Sequence, residues 1–287
     1  QHNRQIEKIK AGVIKRVLNE IKRLAKDEAE TFAAFWKEFG IVLKEGVVED
    51  FENREAIAEL LRFATTYEKS EAHEESEGES TSLDDYIARM PEDQSTIYYV
   101  TADTPAAAAG SPHLEIFKKK GVEVLLMGHP IDEWVVSNLT EYKEKSLQSV
   151  AKGDLEDLKG EGDNETKDQE KELQPTLKKL AKVLGDKVKE VRFTNRLTDS
   201  PACLVADAND MGANLERILK AAGQDAPTSQ PILEINPEHE LIKSLNPRKK
   251  DFEDWAQVLF DQAALSEGAP IADPADYVKR VNRLLAK

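Results

Sequence analysis

Histidine, cysteine and the acidic side chains carry most metal and proton chemistry, and here their spacing argues against both. The five histidines, His2, His73, His113, His129 and His239, are scattered, and no two stand four apart on one helix face. A single cysteine, Cys203, cannot build a thiolate zinc site. It lies in the apolar run PACLVAD, so its thiol reads as buried and inert rather than nucleophilic. DANDMG (207–212) opens like a calcium loop. Met211 stands at a ligand position, however, and Ile218 where the closing bidentate glutamate belongs. No Gly-x-Ser-x-Gly elbow, phosphate loop or Gly-x-Gly-x-x-Gly turn occurs. The sequence thus predicts no catalytic residue and no metal site. One segment keeps an enzyme reading open. In GHPIDEW (128–134), His129 follows an apolar run, on the side of an open α/β sheet where ligands gather. Asp132 and Glu133 begin the next helix, where the dipole favours acids, so the same segment also reads as a plain helix start.

Apolar stripes at helical spacing are the other feature with functional content. In NDMGANLERILKAAGQ (209–224), Met211, Leu215, Ile218, Leu219 and Ala222 fall on one stripe, with Asp210 as expected N-cap and Gly223 as expected stop. The stripe fits either burial in its own core or contact with a partner. Two C-terminal helices carry opposed stripes: Phe252, Trp255, Leu259 and Gln262 on one, Tyr277, Val281, Leu284 and Leu285 on the other. Such helices close their own core or pair with a second copy as a four-helix bundle.

The elements that must position these residues follow from periodicity. A long basic amphipathic helix is expected at 4–26, with Ile6, Ile9, Val13, Val17, Leu18, Ile21 and Leu24 as its stripe. Helices at 29–40, closing on Gly40, and at 53–67 complete an all-α segment. Residues 68–82 are acidic and serine-rich and read as a loop. A short helix capped by Ser82 follows. Strands at 95–102, 122–127 and 145–152 alternate with helices at 104–121 and 131–142, which implies a small parallel sheet. Residues 153–172 are charged and glycine-bearing and read as a domain boundary. Beyond it come a helix at 173–184, a strand pair within 188–207, the amphipathic helix, a strand, turn and helix at 231–245, and the final helices at 251–268 and 273–287. The fold class is multidomain α+β with an α/β portion.

Composition bounds the partners. The chain has 287 residues, with 40 lysines and arginines against 55 acids, a net charge of −15. That balance argues against nucleic acid, whose phosphates need a basic face. No apolar run approaches the roughly 18 residues a membrane span needs. The lone cysteine suits a reducing, cytoplasmic setting.

Several long blocks, in order, resemble the middle region and C-terminal domain of the ninety-kilodalton heat-shock chaperone family. They are LLRFATT, TSLDDYIARMPEDQSTIYYVTAD, SPHLEIFKKKGVEVLLM, PIDEWVVSNLTEYKEKSLQSV, VKEVRFTNRLTDSPACLVAD and LEINPEHELI. The resemblance covers nearly the whole chain. It implies the helical end of a large middle subdomain plus a connector at 1–90 and a small α/β/α middle subdomain at 91–155. An acidic linker follows at 156–172, and a mixed α/β C-terminal domain ending in dimerisation helices at 173–287. It implies a homodimeric, ATP-driven chaperone that binds unfolded or partly folded client proteins. Carried over by position, Met211, Leu215, Ile218 and Leu219 would touch clients, as would Glu133, Trp134 and Ser137. Trp255, Leu259, Gln262, Tyr277, Val281, Leu284 and Leu285 would form the dimer interface. ATP and magnesium would belong to a domain outside this chain. Gln1 would be at most a remnant of the loop that reaches the nucleotide, so the chain alone is expected to be no enzyme. A purely structural dimerisation module, or a small-molecule enzyme using the α/β portion near His129, are the competing readings.

Overall fold

The computed structural model describes residues 4–67, 79–153, 167–208, 210–227 and 229–286. Helix α1 (Arg4–Asp27) matches the expected first helix. Helix α2 (Ala29–Glu49) runs on past Gly40. That glycine is not a stop: a Cβ there would lie 2.8 Å from Cε2 of Trp36, so the missing side chain lets an indole lie on the helix backbone. The helix expected at 53–67 shrinks to a 3-10 turn (Phe51–Asn53) and α3 (Arg54–Ala58). Its β-branched and aromatic end, FATT, instead bridges Phe63 to Thr81 and forms the short strand β1 (Ala64–Thr65). The acidic loop expected at 68–82 lies outside the described residues from 68 to 78. Helix α4 (Leu83–Arg89) opens with a capping box: Asp85 N donates to Ser82 Oγ at 3.0 Å, and Ser82 N donates to the Asp85 carboxylate at 3.1 Å.

Strand β2 (Thr96–Thr101), α5 (Pro105–Ala109), a 3-10 turn (Pro112–Leu114), α6 (Glu115–Lys120) and β3 (Leu125–Met127) follow. Gly121, at φ 67°, ends α6 as expected. Strands β2 and β3 are parallel, in register Tyr99 to Leu125 through Thr101 to Met127. Helix α7 (Asp132–Asn138) is shorter than the periodicity implies. Strands β4 (Glu141–Tyr142) and β5 (Lys145–Ser149) then form an antiparallel hairpin, where the sequence suggests one more parallel strand. Its turn places Lys143 and Glu144 at φ 46° and 63°, a left-handed pair that normally selects Asn-Gly.

Helix α8 (Lys167–Leu184) begins inside the segment expected as linker; residues 154–166 lie outside the described residues. Strands β6 (Glu190–Phe193) and β7 (Ala202–Val205) do not pair with each other. Helix α9 (Ala213–Ala221) follows, and both strands flank β8 (Ile232–Ile235), β6 parallel and β7 antiparallel to it. Helices α10 (Glu240–Ser244), α11 (Phe252–Ser266) and α12 (Pro274–Leu285) complete the chain.

The chain divides into two units, 1–97 with 131–147, and 98–130 with 148–287. In the first, α2 buries Phe32, Trp36, Gly40, Lys44 and Val47, a stripe at helical spacing with one cation in it. The α1 stripe buries only Ile21; Ile6, Ile9, Val13 and Val17 remain at least half exposed. In the second, Leu233 and Ile235 of β8 join Leu180, Leu184, Phe252, Ala256 and Leu259 in one core, while Ile232 meets Leu197, Cys203 and Val205 on the opposite face. Cys203 is fully buried and burial pushes its thiol well above the ordinary range, in line with an inert role. Among the described residues, no helix is long and apolar enough to cross a membrane.

Candidate functional site

Helix α7 has two acids in its first turn, Asp132 and Glu133, and its N-cap, Ile131, makes no side-chain capping bond. Asp132 is completely buried, and its carboxylate lies 3.0 Å from Nζ of Lys44, which is also completely buried. Lys44 meets Glu79 at 2.6 Å, and its ammonium sits 5.2 Å from the Phe63 ring and 5.8 Å from that of Trp36. The Trp36 indole N–H donates to the same Glu79 carboxylate at 3.0 Å. A buried ammonium needs such partners to offset its lost hydration.

Arg54 holds the other end of α7. Its guanidinium donates to the Asn138 carbonyl at 3.0 Å and the Asn138 side-chain oxygen at 3.3 Å. It also donates to the Val47 carbonyl at 2.8 Å and stacks 4.9 Å from the Phe51 ring. One arginine thus satisfies terminal carbonyls of both α2 and α7. Between the two cations, Val135 and Val136 are buried, Trp134 is half-buried and Ser137 is exposed. The expected client patch therefore falls on one short helix, with Trp134 and Ser137 reaching solvent. Glu133 is 5% exposed, so it presents little surface of its own.

Helix α9 is built differently. Its N-cap is Gly212, not Asp210, without a side-chain cap, and Gly223 at φ 73° ends it as expected. Met211, Leu215, Ile218 and Leu219 are each half-buried, and no residue of the helix is fully buried. Arg217 is its tether, 2.7 Å from the Asp103 carboxylate and 3.4 Å from the Glu267 carbonyl.

The C-terminal helices pack on each other, with Arg280 and Arg283 sharing the Asp254 carboxylate at 3.1 and 2.7 Å. Of the expected interface residues, Leu259 and Leu284 are buried within their own unit. Trp255, Tyr277 and Val281 are half-buried, and Gln262 and Leu285 are exposed. Val278 and Leu265, absent from the sequence expectation, are about half exposed, and Leu285 is 78% exposed. A signal was present in α12, because Val278, Val281 and Leu285 make a second stripe at i, i+3 and i+7 beside Tyr277, Val281 and Leu284.

Other charged groups had little sequence signature. Glu234, at the centre of β8, is 3% exposed and held by Arg196, Arg192 and Thr194 at 2.9, 2.6 and 2.7 Å. Burial pushes its carboxyl up, but the Arg196 charge and the bonds from Thr194 and Arg192 outweigh burial and hold it below the ordinary glutamate range. Glu115 accepts from the backbone N–H groups of Thr198, Asp199 and Ser200 at 2.6, 2.8 and 3.2 Å. His113 is fully buried with Nε2 2.8 Å from the Glu267 carboxylate, and His129 is half-buried after β3. Gln1 lies outside the described residues.

Each unit thus holds a short helix fastened by side-chain cations, α7 by Lys44 and Arg54 in one and α9 by Arg217 in the other, and the second unit ends in a pair of packed helices. The family model for Hsp90 protein matches residues 1–287, and the chain belongs to the Hsp90 family. It is similar to proteins named Chaperone protein HtpG. The one from Legionella pneumophila (strain Paris) is 53% identical over 287 residues, covering 99% of this chain and 45% of that protein. The one from Nitrosomonas europaea is 53% identical over 292 residues, with the same coverage. The one from Burkholderia cenocepacia is 55% identical over 292 residues, again covering 99% and 45%. The chain thus spans less than half the length of the curated relatives it matches.

Proposed function

We propose that this chain is the middle and C-terminal portion of an HtpG-type chaperone, which holds partly folded proteins on α7 and α9 and pairs as a homodimer through α11 and α12. The observation that carries the reading is α9: four apolar residues on one face of a helix, none of them fully buried, with Arg217 tying the helix to Asp103. An apolar face of this kind is a contact surface. Met211 and the leucines repack around differently shaped partners. On this reading the bare half of the α1 stripe seats against the rest of the large middle subdomain. ATP and magnesium act in a domain outside this chain, so the chain alone is expected to hydrolyse no ATP.

Leu215→Asp with Leu219→Asp tests it. Binding of a permanently unfolded probe, reduced and carboxymethylated α-lactalbumin, should weaken at least about tenfold, while the melting temperature moves by less than about 2 °C. A large fall in stability would make the stripe part of a core; unchanged binding would leave a dimerisation module only. Dimer formation is tested at Leu285, not Leu284, because Leu284 is already covered by its own unit. Leu285→Asp should give monomers in light scattering without unfolding.

A further inference from the structure

We propose that Lys44 and Arg54 are positioning residues for the α7 client patch: the two cations clamp the ends of α7 and thereby keep Trp134 at the surface. The inference rests on the client reading of α7 given above.

Helix α7 has seven residues, too short to persist on propensity alone. It lacks a side-chain N-cap, the usual device for holding a first turn. Its N-terminal fastening is the buried Asp132–Lys44 pair, and its C-terminal fastening is the Arg54 fork on Asn138. Both cations come from one continuous stretch, α2 into α3, whose own packing is fixed by Trp36 against Gly40 and by Arg54 on the Val47 carbonyl. The platform therefore sets the rotation of α7 about its axis. With Val135 and Val136 turned inward, that rotation leaves Trp134 half-buried and Ser137 exposed. A lysine among Phe32, Trp36, Gly40 and Val47 is costly to desolvate, and replacing a buried ion pair as a whole by apolar residues of similar size commonly costs no stability. Orientation of α7 is what the ion pair adds that a methionine cannot.

The test uses the full chain, four single variants and one double variant. Arg54→Met and Asp132→Asn each loosen one clamp while leaving Lys44 paired to Glu79. Arg54→Lys keeps the charge without the fork, and Trp134→Ala removes the anchor itself. Binding of reduced, carboxymethylated α-lactalbumin is titrated, and amide exchange of residues 132–138 is followed by mass spectrometry. Trp134→Ala should weaken binding about tenfold, and each clamp variant about three- to tenfold with faster exchange in α7. Arg54→Lys should lie between wild type and Arg54→Met. The double variant Arg54→Met/Trp134→Ala should bind no more weakly than Trp134→Ala alone, because a clamp that acts through Trp134 has nothing left to position. Losses that add in the double variant, or clamp variants that speed exchange yet bind normally beside a weakened Trp134→Ala, overturn the positioning role and leave the client reading intact. A Trp134→Ala chain that binds like wild type overturns the client reading of α7 and the inference with it. Should Arg54→Met fail to fold, Arg54→Lys and Asp132→Asn carry the same comparison.

Discussion

Helix α7 has seven residues and α9 has nine, yet the shorter helix is held harder. Two cations grip the ends of α7, one of them wholly buried between two carboxylates and two aromatic rings. Helix α9 has no side-chain cap and no fully buried residue, and Arg217 reaches the half-exposed Asp103, Asn214 of its own helix and a backbone carbonyl. Both helices offer apolar surface, by opposite means. A fixed anchor such as Trp134 suits a contact whose geometry repeats. A lightly tethered stripe suits partners of many shapes, because each can impose its own packing. Local stability across a fold is uneven, and binding segments are drawn from its weaker end. Here one candidate segment is reinforced and the other is not.

The largest expected effect breaks the comparison at its strong end. Lys44→Met leaves Glu79 and Asp132 facing each other in the interior without their cation. Removing one member of a buried charge cluster costs about 3–5 kcal/mol. The urea midpoint should fall accordingly, with the loss confined to the unit that holds residues 1–97 and 131–147. A variant as stable as wild type would show that the buried ions do not secure α7, and the contrast between the helices would then rest on Arg54 alone.

What was legible in the sequence follows the same division. Periodicity exposed α1, α9, α11 and α12, and the Ser82 cap marked a helix start, because local pattern and local structure agree there. The β4–β5 hairpin was hidden because Lys143 and Glu144 occupy a turn that usually advertises itself by Asn-Gly. Gly40 misled because its role is contact with Trp36, a tertiary reason that periodicity cannot carry. The clamps on α7 were invisible for a related reason: Asp132 and Lys44 are far apart in the chain, and only the fold brings them to 3.0 Å. The one trace was a lysine inside an apolar stripe. In the two C-terminal helices the stripes were found, but the apolar residues of α12 serve two faces. The sequence could not say that Leu284 turns inward and Leu285 outward.

The unit that carries α9 also buries charge, but beneath β8, and pH makes the difference measurable. Glu234 is ionised below its ordinary range because Arg196, Thr194 and Arg192 outweigh its burial. A carboxylate whose folded value is depressed adds stability that is fully present above its unfolded value. That stability is lost as pH falls through the folded one. Unfolding monitored for residues 148–287 should therefore become easier as pH drops below the ordinary glutamate value of 4.5. Glu234→Gln should flatten that slope while lowering stability at neutral pH, where Arg196 is left buried without its counter-charge. Exchange in α9 should follow the sheet only near global unfolding. An α9 that loosens in step with Glu234 protonation, well before the sheet opens, would mean the helix is coupled to the core after all.

The smallest effect probes the weak end. The Arg217 side chain is 24% exposed and its partner Asp103 48%, so solvent screens the pair. Arg217→Met should cost only about 0.2–1 kcal/mol, in the range of exposed ion pairs. In a unit of this size that lowers the melting temperature by no more than about 4 °C. The readout that matters is local. Amides of 213–221 should exchange faster while those of β6, β7 and β8 stay as slow as in wild type. If α9 were secured by its apolar face instead, the variant would leave its exchange unchanged, and Met211, Leu215, Ile218 and Leu219 would have to be reassigned from a contact surface to a packed one. If loosening is seen, probe binding gives the complementary sign. A helix freed from its tether pays more ordering entropy on binding, so affinity should fall modestly rather than rise. That is the opposite of what loosening does to a lid that merely blocks a site.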